Sequence, residues 1–124
     1  MRRAAVGLSI GLLATGSGCP KPAPMPIAVA TAQQAERQPD RSEAIREYQQ
    51  IIGQCQSGTA PDSYKAKDDC GLAAFRLAQL YEQLEQFAEA AQAYRDVERL
   101  SRDATKVARS LFRAAELYAE RLGL

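Results

Sequence analysis

The sequence has no histidine and no tryptophan among its 124 residues. Without histidine, the commonest general base near neutral pH and the commonest metal ligand are both missing. Cysteine occurs three times and never as C-x-x-C, so the usual ligand spacing of a zinc site is absent as well. There is no Ser–His–Asp set and no glycine-rich phosphate loop. A charge excess is lacking too. Sixteen Lys and Arg face fifteen Asp and Glu, so no basic footprint for nucleic acid exists. No apolar run approaches the about 20 residues that cross a hydrocarbon core. These absences point away from catalysis, from a bound metal or cofactor and from nucleic acid. What is present is ordinary for one small soluble domain: 46% apolar and 25% charged residues.

The N-terminus has the form of an export signal. Arg2 and Arg3 precede an apolar run, Ala4 to Ala14, and the small residues Gly16, Ser17 and Gly18 follow. A short membrane anchor is the other reading, and the eleven-residue length opposes it. The stretch GSGC resembles the lipobox of bacterial lipoproteins. That resemblance implies cleavage after Gly18 and a covalent lipid on Cys19. Gly16 departs from the family, which prefers Leu there, and ordinary secretion with a free Cys19 is the alternative. Residue 20 is Pro rather than Asp. The resemblance then implies placement in the bacterial envelope, at the outer membrane facing the periplasm rather than at the inner membrane. The mature chain of 106 residues would carry 14 basic and 15 acidic side chains, so the lipid would have to do the anchoring.

Pro20, Pro22, Pro24 and Pro26 alternate with other residues and favour an extended spacer. Residues 19–39 therefore divide into a Pro-rich tether and a weak helix over 27–38, ended by Pro39. Residues 40–124 form the folded domain. Asp40 is the expected cap of a helix in which Ala44, Ile45, Tyr48, Ile51 and Ile52 make one apolar face, with Gly53 as its stop. Residues 54–67 have loop composition, and Asp68 with Asp69 are expected to cap the next helix rather than act as a carboxylate pair. Apolar faces at helical spacing recur over 71–84, 87–100 and 107–122. No segment alternates as a strand would, so the predicted fold is all-α.

The helices repeat. FRLAQLY at 75–81 returns as FRAAELY at 112–118, and EAIREYQQI at 43–51 returns as EAAQAYRDV at 89–97. Two helix types in alternation indicate helical hairpins. Residues 71–104 resemble one tetratricopeptide repeat: Leu77, Ala78 and Tyr81, then Ala90 and Tyr94, stand at the family's spacing. Three positions depart from it. Ala74 stands for the family's Trp and Arg102 for its closing Pro. Glu85 stands where a turn glycine is usual, so a non-glycine residue is expected in a strained conformation. The resemblance implies an α-solenoid of about two repeats. The other reading is a generic helical bundle.

Two repeats are thin, because about three are needed for independent stability. With Cys19 lipidated, Cys55 and Cys70 remain, and in an exported protein two such thiols are expected to pair. A metal site or a catalytic thiol would lack the histidine either requires. Tetratricopeptide arrays bind proteins, usually an extended peptide in a groove lined by the first helix of each repeat. Carried over, that groove comprises Phe75, Arg76, Gln79 and Gln83 with Arg109, Phe112, Arg113 and Glu116. Phe75 and Gln79 replace the Lys and Asn of the family's carboxylate clamp, so no clamp is implied. The repeated Phe-Arg pair suggests an apolar contact beside a carboxylate-binding cation. The alternative puts both Phe in the core and leaves both Arg solvated. The function that follows is a lipid-anchored, non-catalytic scaffold or assembly factor. Its alternative is a subunit of a larger complex or homo-oligomer in which a partner helix completes the array.

Overall fold

The structure, a computed structural model, describes residues 28–124. The export segment, Cys19 and the prolines at 20–26 lie outside the described residues. Within them the chain is all-α: α1 (Val29–Ala35), α2 (Ser42–Ser57), α3 (Asp62–Ala66), α4 (Asp69–Gln83), α5 (Phe87–Leu100) and α6 (Ala104–Glu120). Strands are absent among the described residues. Consecutive long helices form antiparallel hairpins. α4 packs chiefly on α5 and α2, α5 on α6, and α1 on α2.

Alanine sets the closeness of these contacts. Ala32, Ala44, Ala78 and Ala90 have no exposed surface, and Tyr48, Ile51, Leu80, Val97 and Leu117 are buried between the helices. Small side chains let helix backbones approach, and the large ones fill what is left at the packing density of a protein interior. The α4–α5 turn bends at Glu85, whose φ of 59° is left-handed, as the missing glycine there predicts. The Gln86 N–H donates to the Tyr81 carbonyl at 2.8 Å and the Glu85 N–H to that of Glu82 at 2.9 Å, so the turn satisfies the end of α4.

Three local expectations are corrected. Gly53 does not stop α2. The helix runs on to Ser57 and ends at Gly58, left-handed with φ 79°. Ile52 and Gln54 are both buried on either side of Gly53, so packing holds the helix through a residue of poor propensity. The expected loop is therefore shorter than 54–67 and includes α3. Asp68 does not cap α4 with its side chain. Its own backbone is left-handed, with φ 57°. Its carboxylate instead accepts from Ser101 Oγ at 2.7 Å, the Arg102 N–H at 2.9 Å and Lys106 Nζ at 2.9 Å. Burial pushes the Asp68 carboxyl up, but these three donors outweigh it and hold it below the usual carboxylate range. The departure at Arg102 thereby gains a reason, because proline has no N–H to give Asp68. Cap duty falls to Asp103, which accepts from Thr105 N and Lys106 N at the start of α6. At the start of α2, Asp40 accepts from both Ser42 N and Ser42 Oγ, an Asx turn leading into the helix.

Two tight contacts fix the helix junctions. The sulfur atoms of Cys55 and Cys70 are 2.08 Å apart, joining the end of α2 to the start of α4. A Cβ built on Gly71 would come within 2.4 Å of Ser101 Cβ and 2.7 Å of Ser101 Cα, so α4 begins directly against the chain that leaves α5.

Candidate functional site

The helices that would line a groove, α4 and α6, are held in register by contacts that occur twice. Glu36, just past α1, accepts from the Tyr48 hydroxyl on α2 and from Arg76 on α4, with an ion-pair distance of 3.1 Å. Glu82, near the end of α4, accepts from the Tyr94 hydroxyl on α5 at 2.7 Å and from Arg113 on α6 at 2.6 and 3.0 Å. Glu and Tyr recur at an offset of 46 residues and Arg at an offset of 37. A second contact recurs with the same offsets. Gln49 donates to the Tyr81 hydroxyl at 2.8 Å, and Arg95 reaches the Tyr118 hydroxyl at 3.5 Å. Each hairpin is thus fastened to the next helix by one carboxylate shared between a tyrosine and an arginine.

The electrostatics follow from that sharing. Hydrogen bonds from Arg113 hold the Glu82 carboxyl below its usual range against the opposing effect of burial. Burial, with the neighbouring carboxylate, raises both tyrosine hydroxyls far above theirs. Arg113 is held charged chiefly by its bonds to Glu82, and its second nitrogen lies 3.2 Å from Glu116.

Six of the eight residues expected at the groove line one cavity of about 220 Å³ between α4 and α6. Phe75 and Gln79 come from α4; Arg109, Phe112, Arg113 and Glu116 come from α6; Tyr94 of α5 is the floor. Phe75 meets Tyr94 edge to face, with centroids 5.9 Å apart. Phe112 is 67% exposed at the lip. Arg76 and Gln83 stand elsewhere: Arg76 belongs to Glu36, and Gln83 Oε1 accepts from Arg41 at 2.7 Å. Both arginines of the repeated Phe-Arg pair are therefore occupied by carboxylates of this chain. Neither is a free cation, and neither is simply solvated. The lining cation without an ion pair among the described residues is Arg109.

A larger cavity of about 330 Å³ lies between α2 and α5, walled by Ile52, Leu77 and Ala93 with glutamines on its rim. Among the described residues no group of three His, Cys, Asp or Glu side chains could hold a metal ion. No described helix is long and apolar enough to cross a membrane.

No protein family, curated protein or solved structure gives a match to this chain. The sequence reading missed Glu36, Glu82 and the tyrosine hydroxyls as a repeated fastening. A signal for it was present: AVATAQQAE at 28–36 and AFRLAQLYE at 74–82 share Ala, Ala, Gln and Glu in register at the same offset of 46.

Proposed function

We propose that this chain is a non-catalytic protein-interaction module of tetratricopeptide type, held at a bacterial envelope membrane by a lipid on Cys19. Its groove between α4 and α6 takes an extended segment of a partner protein. The observation that supports this reading is the composition of that groove. It has an aromatic floor of Phe75 and Tyr94, an exposed aromatic lip at Phe112 and one cation, Arg109, without an ion pair among the described residues. A segment with an apolar side chain next to a carboxylate fits these three features, with the Gln79 amide in the lining to meet its backbone. Arg76 and Arg113 do not take part in recognition, since Glu36 and Glu82 already hold them.

The experiment is site-specific photocrosslinking of the full-length protein in intact cells. A crosslinker at Phe112 should give a discrete adduct to a different protein rather than to a second copy of this chain, the same crosslinker at Gln92 on the α2–α5 side should not, and Arg109→Glu should abolish the first. Equal adducts from both positions, or one indifferent to Arg109→Glu, would remove the groove assignment. Fractionation tests the anchor separately: Cys19→Ala should leave the membrane fraction, and retention there would overturn lipidation.

The second reading, a subunit completed by a partner helix, is favoured by one feature. α6 carries an apolar face that no described element covers.

A further inference from the structure

We infer that the uncovered face of α6 is a self-association surface, taken by α6 of a second copy of this chain packed antiparallel. At 100° per residue, Ala104, Ala108, Leu111, Phe112, Ala115 and Ala119 fall within about 100° of the helix circumference. All six are exposed, and the sector contains no charge. The internal repeat gives a measure of what such a face normally meets. Leu111 and Ala115 correspond, at the offset of 37, to Ala74 and Ala78, and both of those are fully buried in the α4–α5 hairpin.

Charge decides the occupant. Beside the apolar face runs a stripe carrying Arg109 and Glu116, two helical turns apart. About a two-fold axis between residues 112 and 113, Arg109 of one copy stands opposite Glu116 of the other, and the symmetry makes the pair twice. Among the described residues Arg109 has no ion pair, and Glu116 pairs with Arg113 at 3.2 Å with 35% of its side chain exposed. In a parallel pair the two stripes would lie on opposite sides of the seam, so Arg109 would not meet Glu116. Antiparallel packing also opposes the two helix dipoles. The alanines at 108 and 115 leave room for Phe112 of the second copy. One helix face covers less than the about 800 Å² per partner of a stable interface, so the dimer is weak and concentration-dependent.

The surface goes beyond the groove reading but shares its rim. Phe112 and Arg109 serve both, so a second copy and a bound segment exclude each other there.

The test is sedimentation equilibrium of the full chain without any peptide, in a density-matched detergent that keeps its apolar N-terminus from aggregating. Between about 10 µM and about 1 mM the mean mass should climb from one chain towards two. Arg109→Glu alone and Glu116→Arg alone should each raise the dissociation constant at least about tenfold. An equimolar mixture of the two variants should regain association, because each then supplies the charge the other needs. Thermal melts of both variants identify any loss that comes from unfolding, and Ala115→Glu, on an exposed helix position, should also abolish association. A monomer at every concentration, single variants that associate like the wild type, or a mixture that regains nothing would each overturn the inference. Any of these results leaves the groove reading intact, since no partner segment is present.

Discussion

The step from α2 to α4 and the step from α5 to α6 bring together the same contacts through different connections. In the first, residues 58–68 and the short helix α3 intervene, and Cys55–Cys70 bridges the gap. In the second, only residues 101–103 intervene, and the Asp68 carboxylate gathers Ser101, Arg102 and Lys106. The Glu–Tyr–Arg fastening is nevertheless the same in both. Helix placement is thus set by buried alanines and one shared carboxylate per step, not by the connector. A longer connector adds little by itself, because each doubling of loop length costs only about 0.6 kcal/mol. The first step needs its covalent tie for another reason. Its leading helix, α1, has seven residues and buries only Val29 and Ala32, whereas α4 buries seven residues.

The largest test removes the tie of the first step. Reducing Cys55–Cys70, or replacing both by Ala, should cost about 3 kcal/mol for a loop of this size. Urea unfolding with and without reductant measures it. A loss under about 1 kcal/mol would mean that packing of α1 and α3 already holds the step closed.

Gly71→Ala strikes the second step instead. The new Cβ meets Ser101 backbone and side chain, and such overpacking costs about 1–3 kcal/mol. The melting temperature should fall, while Gly53→Ala, where nothing lies within 4 Å, should leave it unchanged or raise it. Equal effects at the two glycines would contradict the close approach at Ser101.

The smallest test compares the shared carboxylates. Glu82→Gln weakens the bonds to Tyr94 and Arg113 and should cost about 1 kcal/mol at neutral pH. The sign with pH follows from the lowered carboxyls of Glu82 and Asp68. Their contribution is complete above the unfolded carboxylate range near pH 4 and is lost as pH falls through the lower folded values. Wild type should therefore destabilise more steeply on acidification than Glu82→Gln, and parallel stability–pH curves would contradict the assignment. Tyr94→Phe and Tyr48→Phe should cost similar amounts if the two steps are equivalent.

The sequence alone determined the helical period and the internal repeat, because both rest on residues close in the chain. The pairing of Cys55 with Cys70 followed only from the expected export with Cys19 lipidated, and the left-handed residue at Glu85 only from a resemblance to a repeat whose turn carries glycine. The sequence also named most of the residues that line the α4–α6 cavity, because a fixed repeat places equivalent positions on equivalent faces. Only the tertiary structure decided what those side chains do. Arg76 and Arg113 look like free cations until Glu36 and Glu82 arrive from 40 and 31 residues away. Asp68 looks like a cap until its backbone turns left-handed and its carboxylate meets residues 33 to 38 positions later. Gly53 looks like a stop until flanking packing carries the helix past it. A side chain's partner is set by which helices meet, and that meeting is a sum over the whole core that no local pattern contains.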